Sequence, residues 1–582
     1  MNILRLLITV VSLFIGSLAF AQNADTQAYP FDPATQPLEN GTPGEVMQRE
    51  FSSSKIYPGT QRSYWIYVPA GYNPDEPACL FVSLDGVQHN APTVFDNLIA
   101  SGEMPVTIGV FVAPGEVRNA KGEVLRYNRS NEFDKTDDTF ARFLLEELLP
   151  EVELQSTADG RPIRLSKDAN DRAISGCSSG AICAFTAAWF RPDAFSRVYS
   201  AIGTYVPMRG GNEYPALIRK TEPKPLRIFL EDGSQDTWNP LFGSWYESNV
   251  LMESALRFSG YEVAHSWGHG GHDGTHAALI FPDVMRWLWK GWPHRVQKGN
   301  SSNNMLSGIV LKDCEWEPVD LSFTPQGQLF ATRDGGVLVQ DEKHKVYQLD
   351  AEGNLSTVLT LNANESLVGS TGEHLYLANT KGNLIEAGNG KKRTIAKGLN
   401  RIESVLATEK GSIYLTQASG EDDCLWLIQP NAPKQLLNRQ LNGGGYLALF
   451  PNLQLMLRSE KNSQWLYSYT VTEEGKTENG QRFYWLHNTE NYDWTENGNM
   501  VFDRNGNLFI ATVMGVQVCD HNGRVRAILT LPSGRISSLC FGGKELNVLY
   551  VLSGNKLYRR KVNTQGHYPW LPALNPGSQG AG

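Results

Sequence analysis

The residues best suited to chemistry sit in one pentapeptide, Gly176-Cys177-Ser178-Ser179-Gly180, the only G-x-S-x-G in the 582-residue chain. A serine hydroxyl becomes a nucleophile beside a general base, and that base needs a third group to fix its tautomer. Chance alone supplies roughly 0.4 such pentapeptides in a chain of this length and composition, so the context has to decide. Before the motif, Arg172-Ala-Ile-Ser reads as an apolar strand; after it, Ala181 to Phe190 reads as a helix. Strand, sharp turn and helix make a nucleophile elbow, whose glycines allow the tight bend that lifts Ser178 above the sheet edge. The helix N-terminus also offers backbone N–H groups to a developing oxyanion, that of Ser179 among them.

In such a site the acid and then the histidine follow the serine along the chain. Leu226 to Leu230 is a strand opening into Glu231-Asp-Gly-Ser-Gln-Asp236-Thr-Trp. Asp236 lies on the loop beyond the strand end and is the expected acid; Asp232, closer to the strand, is the alternative. The histidine comes from Gly268-His-Gly-Gly-His-Asp-Gly-Thr-His, with His272 as the expected base and His276 as second choice. His269, His272, His276 and Asp273 would also suit zinc, but the elbow already requires a histidine from this loop. The second oxyanion donor is expected after the strand Val82-Ser-Leu-Asp85, from the N–H of Gly86 or Val87. Trp238, Trp245 and Trp267 fall near these loops and could stack on a sugar or aryl ring, or serve as packing.

The elements needed to position these groups are legible on either side. From about Lys55 to Pro293, short apolar runs (Arg62–Pro69, Pro77–Leu84, Val106–Val112, Arg197–Ile202) alternate with helical stretches at Pro92–Gly102, Asp137–Leu154 and Ala277–Trp289. That alternation predicts a mostly parallel sheet covered on both faces, an α/β fold. After a polar stretch, His294 to Asn304, no amphipathic helix is evident. One strand phrase recurs instead: Gly327-Gln-Leu-Phe-Ala-Thr, Glu373-His-Leu-Tyr-Leu-Ala, Gly411-Ser-Ile-Tyr-Leu-Thr, Asn452-Leu-Gln-Leu-Met-Leu, Gly506-Asn-Leu-Phe-Ile-Ala and Glu545-Leu-Asn-Val-Leu-Tyr. Copies spaced roughly 40–50 residues apart predict the blades of a six-bladed β-propeller.

The remaining features narrow the function class. A net charge of -9 argues against a nucleic-acid partner, which needs a basic face. Arg5, the apolar run Leu6–Phe20 and Ala19-Phe-Ala21 read as a secretion leader cleaved before Gln22, which predicts a periplasmic or extracellular protein. No later segment is long and apolar enough to span a bilayer. The seven cysteines are scattered without a C-x-x-C pair, so a structural zinc site is not expected.

Several of these motifs together resemble the enterochelin-esterase/feruloyl-esterase-like branch of the α/β-hydrolases: Pro58-Gly-Thr-x-Arg62, Tyr64-Trp-Ile-Tyr-Val-Pro, Arg129-Ser-Asn-Glu132-Phe-Asp134, the elbow, L-E-D-G-S-Q-D, G-G-H-D-G-T-H and Phe281-Pro-Asp-Val-Met-Arg-Trp-Leu-Trp. The resemblance spans about Lys55 to Pro293 and implies Ser/His chemistry on esters without a cofactor. Some relatives are described as using a Ser–His dyad. Arg129 and Glu132 look like that family's pocket-lining residues, with an ion pair as the other reading. The second half is similar to the gluconolactonase/senescence-marker propellers, most clearly over Asp503 to Tyr568. That family holds a divalent metal in its channel. Here Gly445 and Gly498 fall where the ligands Asn and Asp would stand, Glu403 lies near another position where the family carries Asn, and only Glu317 is left as a ligand. No metal is therefore expected in the propeller.

The expected organisation is a leader at 1–21, an extension at 22–54, the hydrolase domain at 55–293, a linker at 294–305, the propeller at 306–572 and a tail at 573–582. The expected function is an exported serine esterase acting on a carbohydrate acyl, hydroxycinnamoyl or siderophore ester through Ser178. The propeller would bind a glycan or protein ligand; a metal-dependent lactonase in the propeller is the alternative.

Overall fold

The structure, a computed structural model, describes residues 31–38, 41–388, 390–418, 423–460, 462–488, 497–531 and 534–577. The leader expected over 1–21 lies outside them, as do parts of the extension and of the tail. The chain forms two compact units: one built mainly from residues up to Arg219 and from Pro223–Ser302, the other mainly from Asn303–Asn488 and Tyr492 onward.

In the first unit eight strands make one sheet: β1 (Glu45–Phe51), β2 (Arg62–Val68), β3 (Cys79–Leu84), β4 (Thr107–Val112), β5 (Arg172–Cys177), β6 (Arg197–Ala201), β7 (Arg227–Gly233) and β8 (Glu262–Gly268). Their order is β1-β2-β4-β3-β5-β6-β7-β8. Pairing is antiparallel from β1 through β2 to β4 and parallel from there to β8. Every residue of β3 and β4 is buried, as expected of strands covered on both faces.

One face carries α1 (Ala91–Ala100) and α5 (Phe281–Trp289), where the rings of Phe81, Phe95 and Phe281 meet, Phe81 edge-on to both others at 5.1 and 5.9 Å. The other face carries α2 (Ser179–Phe190) and α3 (Trp245–Phe258), with Phe185, Met252 and Leu256 packed against Val82, Ile174 and Leu230. Each large side chain buried this way contributes about 1.5–3 kcal/mol. A short α4 (Thr275–Leu279) precedes α5. This is an α/β-hydrolase sheet, and the three central parallel strands β3, β5 and β6 carry the elbow and its neighbours.

Three local features go beyond the sequence pattern. Within the extension, Glu45–Phe51 forms a strand that pairs with β2 over its whole length. As an edge strand it buries Met47 and Phe51 among Glu, Gln and Arg, so its apolar signal is weak. The helix expected over Asp137–Leu154 begins at Thr139 and widens into a π-turn at Phe143–Leu148. Pro150, in the next turn, cannot donate to a carbonyl behind it, and the wider turn gives its ring room. The helix expected over Ala277–Trp289 is two helices, meeting at Ile280 with Pro282 in the first turn of α5.

The second unit is a six-bladed propeller of four-stranded sheets, the fifth of them extended by a short strand at Gly566–His567. The first strands of the six blades are Pro325–Ala331, Glu365–Ser370, Ile402–Ala407, Leu447–Leu449, Met500–Asp503 and Ser538–Gly542, and neighbouring first strands contact one another around the axis. The ring closes by pairing across blades: Glu317–Val319, ahead of blade one in sequence, adds the outermost strand of blade six, with Glu317 opposite Arg559. The recurring phrase lies on the second strand of blades two to six. Its first copy, at Gly327, is instead on the first strand of blade one, whose second strand is Val337–Asp341. Both strands are apolar and flanked by glycine turns, so the pattern slipped by one strand. Within the polar stretch expected to be a linker, Asn303 caps a short helix, Asn304–Ile309, its Oδ1 accepting from the N–H groups of Met305 and Leu306.

Candidate active site

β5 delivers the chain to Ser178, which sits at φ 58° and ψ -119°, a conformation costly for any residue with a Cβ. The neighbouring backbone holds it there. The Ser178 N–H donates to the Ala201 carbonyl on β6, and its carbonyl accepts from Ala181 and Ile182 at the start of α2. Of the two motif glycines, Gly176 is sterically required and Gly180 sits at a close approach. A Cβ on Gly176 would lie 2.3 Å from the backbone of Gly180, and one on Gly180 would lie 3.0 Å from the Asp85 carboxylate. The elbow is a crossing point where strand, helix and the loop after β3 touch.

His272 and Asp236 meet Ser178 although the three are far apart in sequence. The Ser178 hydroxyl donates to His272 Nε2 at 2.9 Å, and His272 Nδ1–H donates to Asp236 Oδ1 at 2.7 Å. The two loops that carry the acid and the histidine are zipped backbone to backbone: Ser234 N–H donates to Gly268 O, and Gln235 N–H to Gly270 O. Gly233 lies so close to Gly270 that a Cβ there would fall 2.1 Å from its carbonyl oxygen. The Asp236 side chain has no solvent exposure, whereas His272 retains 31%. Burial alone would raise the Asp236 pKa. Hydrogen bonds with His272 and the Asp232 carboxyl, and from the Thr237 N–H, outweigh it and hold the group below its ordinary value.

Thr204, just past β6, was not singled out by sequence reasoning. Its hydroxyl donates to Ser178 Oγ at 3.2 Å and accepts from the Trp245 indole N–H at 3.2 Å. The Trp245 ring also stands edge-on to His272, 5.9 Å between centroids. Trp245 is therefore a buried support for the serine and histidine, not an exposed stacking platform. Trp238 is 71% exposed on the small hairpin that follows Asp236, and Trp267 lies within β8 stacked on His265 rather than in a loop. Threonine after a strand end carries no signal of its own in one sequence. Only the register of β6 beside β5 brings it to the serine.

The other candidates separate clearly. His276 is buried and bonds Glu231 Oε1 at 2.7 Å, with Ser266 on its other nitrogen. His269 lies 3.4 Å from the Ser234 hydroxyl. Among the described residues no three His, Cys, Asp or Glu side chains are grouped to hold a metal ion.

Arg129 and Glu132 are each engaged in an ion pair. Arg129 grips Asp85 with two bonds of 2.7 and 2.8 Å, and its Nη2 reaches the Cys177 carbonyl at 3.5 Å, so it ties the loop after β3 to the elbow. Glu132 is fully buried and pairs with Arg62 at 2.7 and 2.8 Å. Gly86 is also corrected: Asp85 and Gly86 both have positive φ, and the turn they make commits the Gly86 N–H to the Val112 carbonyl at 3.2 Å. Val87 follows that turn and is 40% exposed. Ser179 opens α2, where the first N–H groups have no carbonyl behind them within the helix.

Residues 55–290 match the family model described as "Putative esterase", and residues 324–555 match the one described as "SMP-30/Gluconolactonase/LRE-like region". The chain joins an esterase-family domain to a gluconolactonase-like propeller. A search of curated proteins gave no match. Among solved structures, a gluconolactonase from Xanthomonas campestris is 16% identical over 45% of this chain and 93% of its own, with a TM-score of 0.39. A ferulic acid esterase is 19% identical over 42% of this chain and 99% of its own, with a TM-score of 0.32. The enterobactin esterase of Shigella flexneri is 20% identical over 45% of this chain, which spans 63% of that protein, with a TM-score of 0.33.

The divalent metal of the gluconolactonase-like family does not fit this propeller. At Gly445 a Cβ would fall 2.0 Å from the Ser459 carbonyl oxygen, and at Gly498 2.2 Å from that of Ser537, so neither position has room for a ligand side chain. Glu403 Oε2 accepts the Gly445 N–H at 2.9 Å. Glu317, expected to remain as one ligand, is on the outermost strand of blade six and pairs with Arg559. What remains is a polar cavity of about 600 Å³ lined by Gln328, Arg401, Glu403, Tyr446, Asn497 and Arg535 among others.

Proposed function

We propose that the esterase-family domain hydrolyses a carboxylic ester through an acyl-enzyme on Ser178. The hydrogen-bonded line from Ser178 through His272 to Asp236, at 2.9 and 2.7 Å on a strained elbow, carries this reading. In the first half-reaction Ser178 Oγ attacks the ester carbonyl while its proton passes to His272 Nε2. Asp236, held as a carboxylate, stabilises the imidazolium and keeps Nδ1 protonated. The N–H groups of Ser179 and Val87 would receive the oxyanion. Collapse breaks the C–O bond to the alcohol, which leaves with the proton from Nε2. Water then attacks the acyl-enzyme by the same steps in reverse, releasing the acid and restoring the serine.

The propeller is read as a binding module for a glycan or protein rather than a second reaction centre, supported by its closed ligand positions and polar cavity. The test is Ser178→Ala against a panel of p-nitrophenyl acetate, feruloyl esters and lactones. Turnover should fall on the order of 10⁶-fold for every ester the wild type cleaves, with no change on adding EDTA. Persisting turnover in the variant, sensitive to the chelator, would favour a propeller lactonase instead.

A further inference from the structure

Asp236 meets the site with one carboxylate oxygen. Its Oδ1 takes the His272 and Thr237 N–H groups, while its Oδ2 is buried and receives no N–H. The Asp232 carboxyl makes side-chain contact with that of Asp236, and it is itself wholly buried at the end of β7. Two buried carboxylates in hydrogen-bond contact cannot both be ionised at neutral pH. The hydrogen bonds around the pair decide which one keeps the proton. Asp236 faces the imidazole and accepts two N–H donors. Asp232 accepts Gly233 N–H at 2.7 Å and Asn249 Nδ2 at 2.7 Å, and the charged groups acting on it, Asp236 and Glu231, are both acidic. Asn249 is buried too, and its amide also donates to the carbonyls of Gly203, beside Thr204, and Trp245.

We infer that Asp232 is a positioning residue that stays protonated and donates its carboxyl hydrogen to Asp236 Oδ2, completing a line of hydrogen bonds in which Asp236 accepts from both Asp232 and His272, and His272 accepts from Ser178. The inference rests on the Ser178 reading above. Physically, the Asp232 hydroxyl satisfies the oxygen of Asp236 that histidine does not use. It fixes the rotation of that carboxylate and keeps Oδ1 aimed at Nδ1. Burial, followed by the contact with Asp236, raises the Asp232 pKa in the same sense. Sequence reasoning had treated Asp232 as an alternative to Asp236; on this account the two act as a pair with opposite protonation.

The test compares Asp232→Leu, Asp232→Asn and Ser178→Ala in the full chain. Leucine removes the donor and should lower kcat about 10- to 100-fold at little change in KM, the worth of one hydrogen bond to a charged group. Asparagine keeps an N–H donor in the same place and should restore most of that loss, with the acid limb of the pH–rate profile returning toward the wild type. Infrared spectra of folded Ser178→Ala protein at pH 7 should contain a protonated-carboxyl band that disappears when Asp232→Asn is added. Wild-type kcat in Asp232→Leu, equal losses in the leucine and asparagine variants, or no such band would each overturn the inference. Full turnover in Ser178→Ala would instead overturn the reading on which it rests, while leaving the infrared result to stand by itself.

Discussion

Asp232, at the end of β7, and Asp236, in the loop after it, are four positions apart, yet their surroundings push them in opposite directions. Asp236 has an imidazole to face; Asp232 has only an amide, a backbone N–H and a second acid. Holding a proton on a buried carboxyl has a consequence for stability. Burial first, then the contact with Asp236, lifts Asp232 from 3.8 to about 9 in the folded chain. Between those two values the unfolded chain has released this proton and the folded chain still holds it. The folded state therefore binds more protons, and its stability falls as pH rises across that window. Asparagine does not titrate. The thermal midpoint of Asp232→Asn minus that of the wild type should thus grow more positive from pH 4 to pH 9 in differential scanning fluorimetry. A difference that is flat or shrinks with pH would mean Asp232 is ionised in the folded protein.

At the scale of elements, the elbow works because three chain segments approach more closely than side chains permit. Gly176→Ala puts a methyl group 2.3 Å from the backbone of Gly180, and no rotamer relieves a backbone clash. The substitution should cost more than the ~1–3 kcal/mol usual for overpacking and should remove ester turnover, as measured by urea unfolding and steady-state kinetics. A variant with wild-type stability and activity would show that the crossing is looser than described. Much of this element was legible beforehand. The apolar strand, the glycines and the following helix are contiguous in sequence, so local pattern suffices. His272 and Asp236 were also legible, because turn-rich loops after strand ends are recognisable without knowing where they point. Thr204, the Arg129–Asp85 clamp and the loss of the Gly86 N–H were not. Each depends on which strands lie side by side, and on which N–H a turn ties down, and neither is written in any single segment.

For the whole molecule, periodicity revealed both units, since an alternating α/β rhythm and a 40–50-residue repeat are properties of long stretches. The edge strand Glu45–Phe51 and the strand that closes blade six escaped, because both are short, half-exposed and paired with residues distant in sequence. The lost metal ligands were visible as glycines at 445 and 498. The structure adds that the backbone has closed over those positions. Elemental analysis of the purified full chain after dialysis should accordingly find no stoichiometric divalent metal in it, and equimolar calcium or zinc would contradict this.

All of the proposed chemistry turns on Ser178 as the nucleophile. Its most direct test is to treat the full chain with a fluorophosphonate and locate the adduct by peptide mass spectrometry. One adduct is expected, on Ser178, forming as ester turnover is lost and absent from Ser178→Ala. An adduct on another residue that abolishes turnover, or full turnover after Ser178 has been labelled, would contradict it.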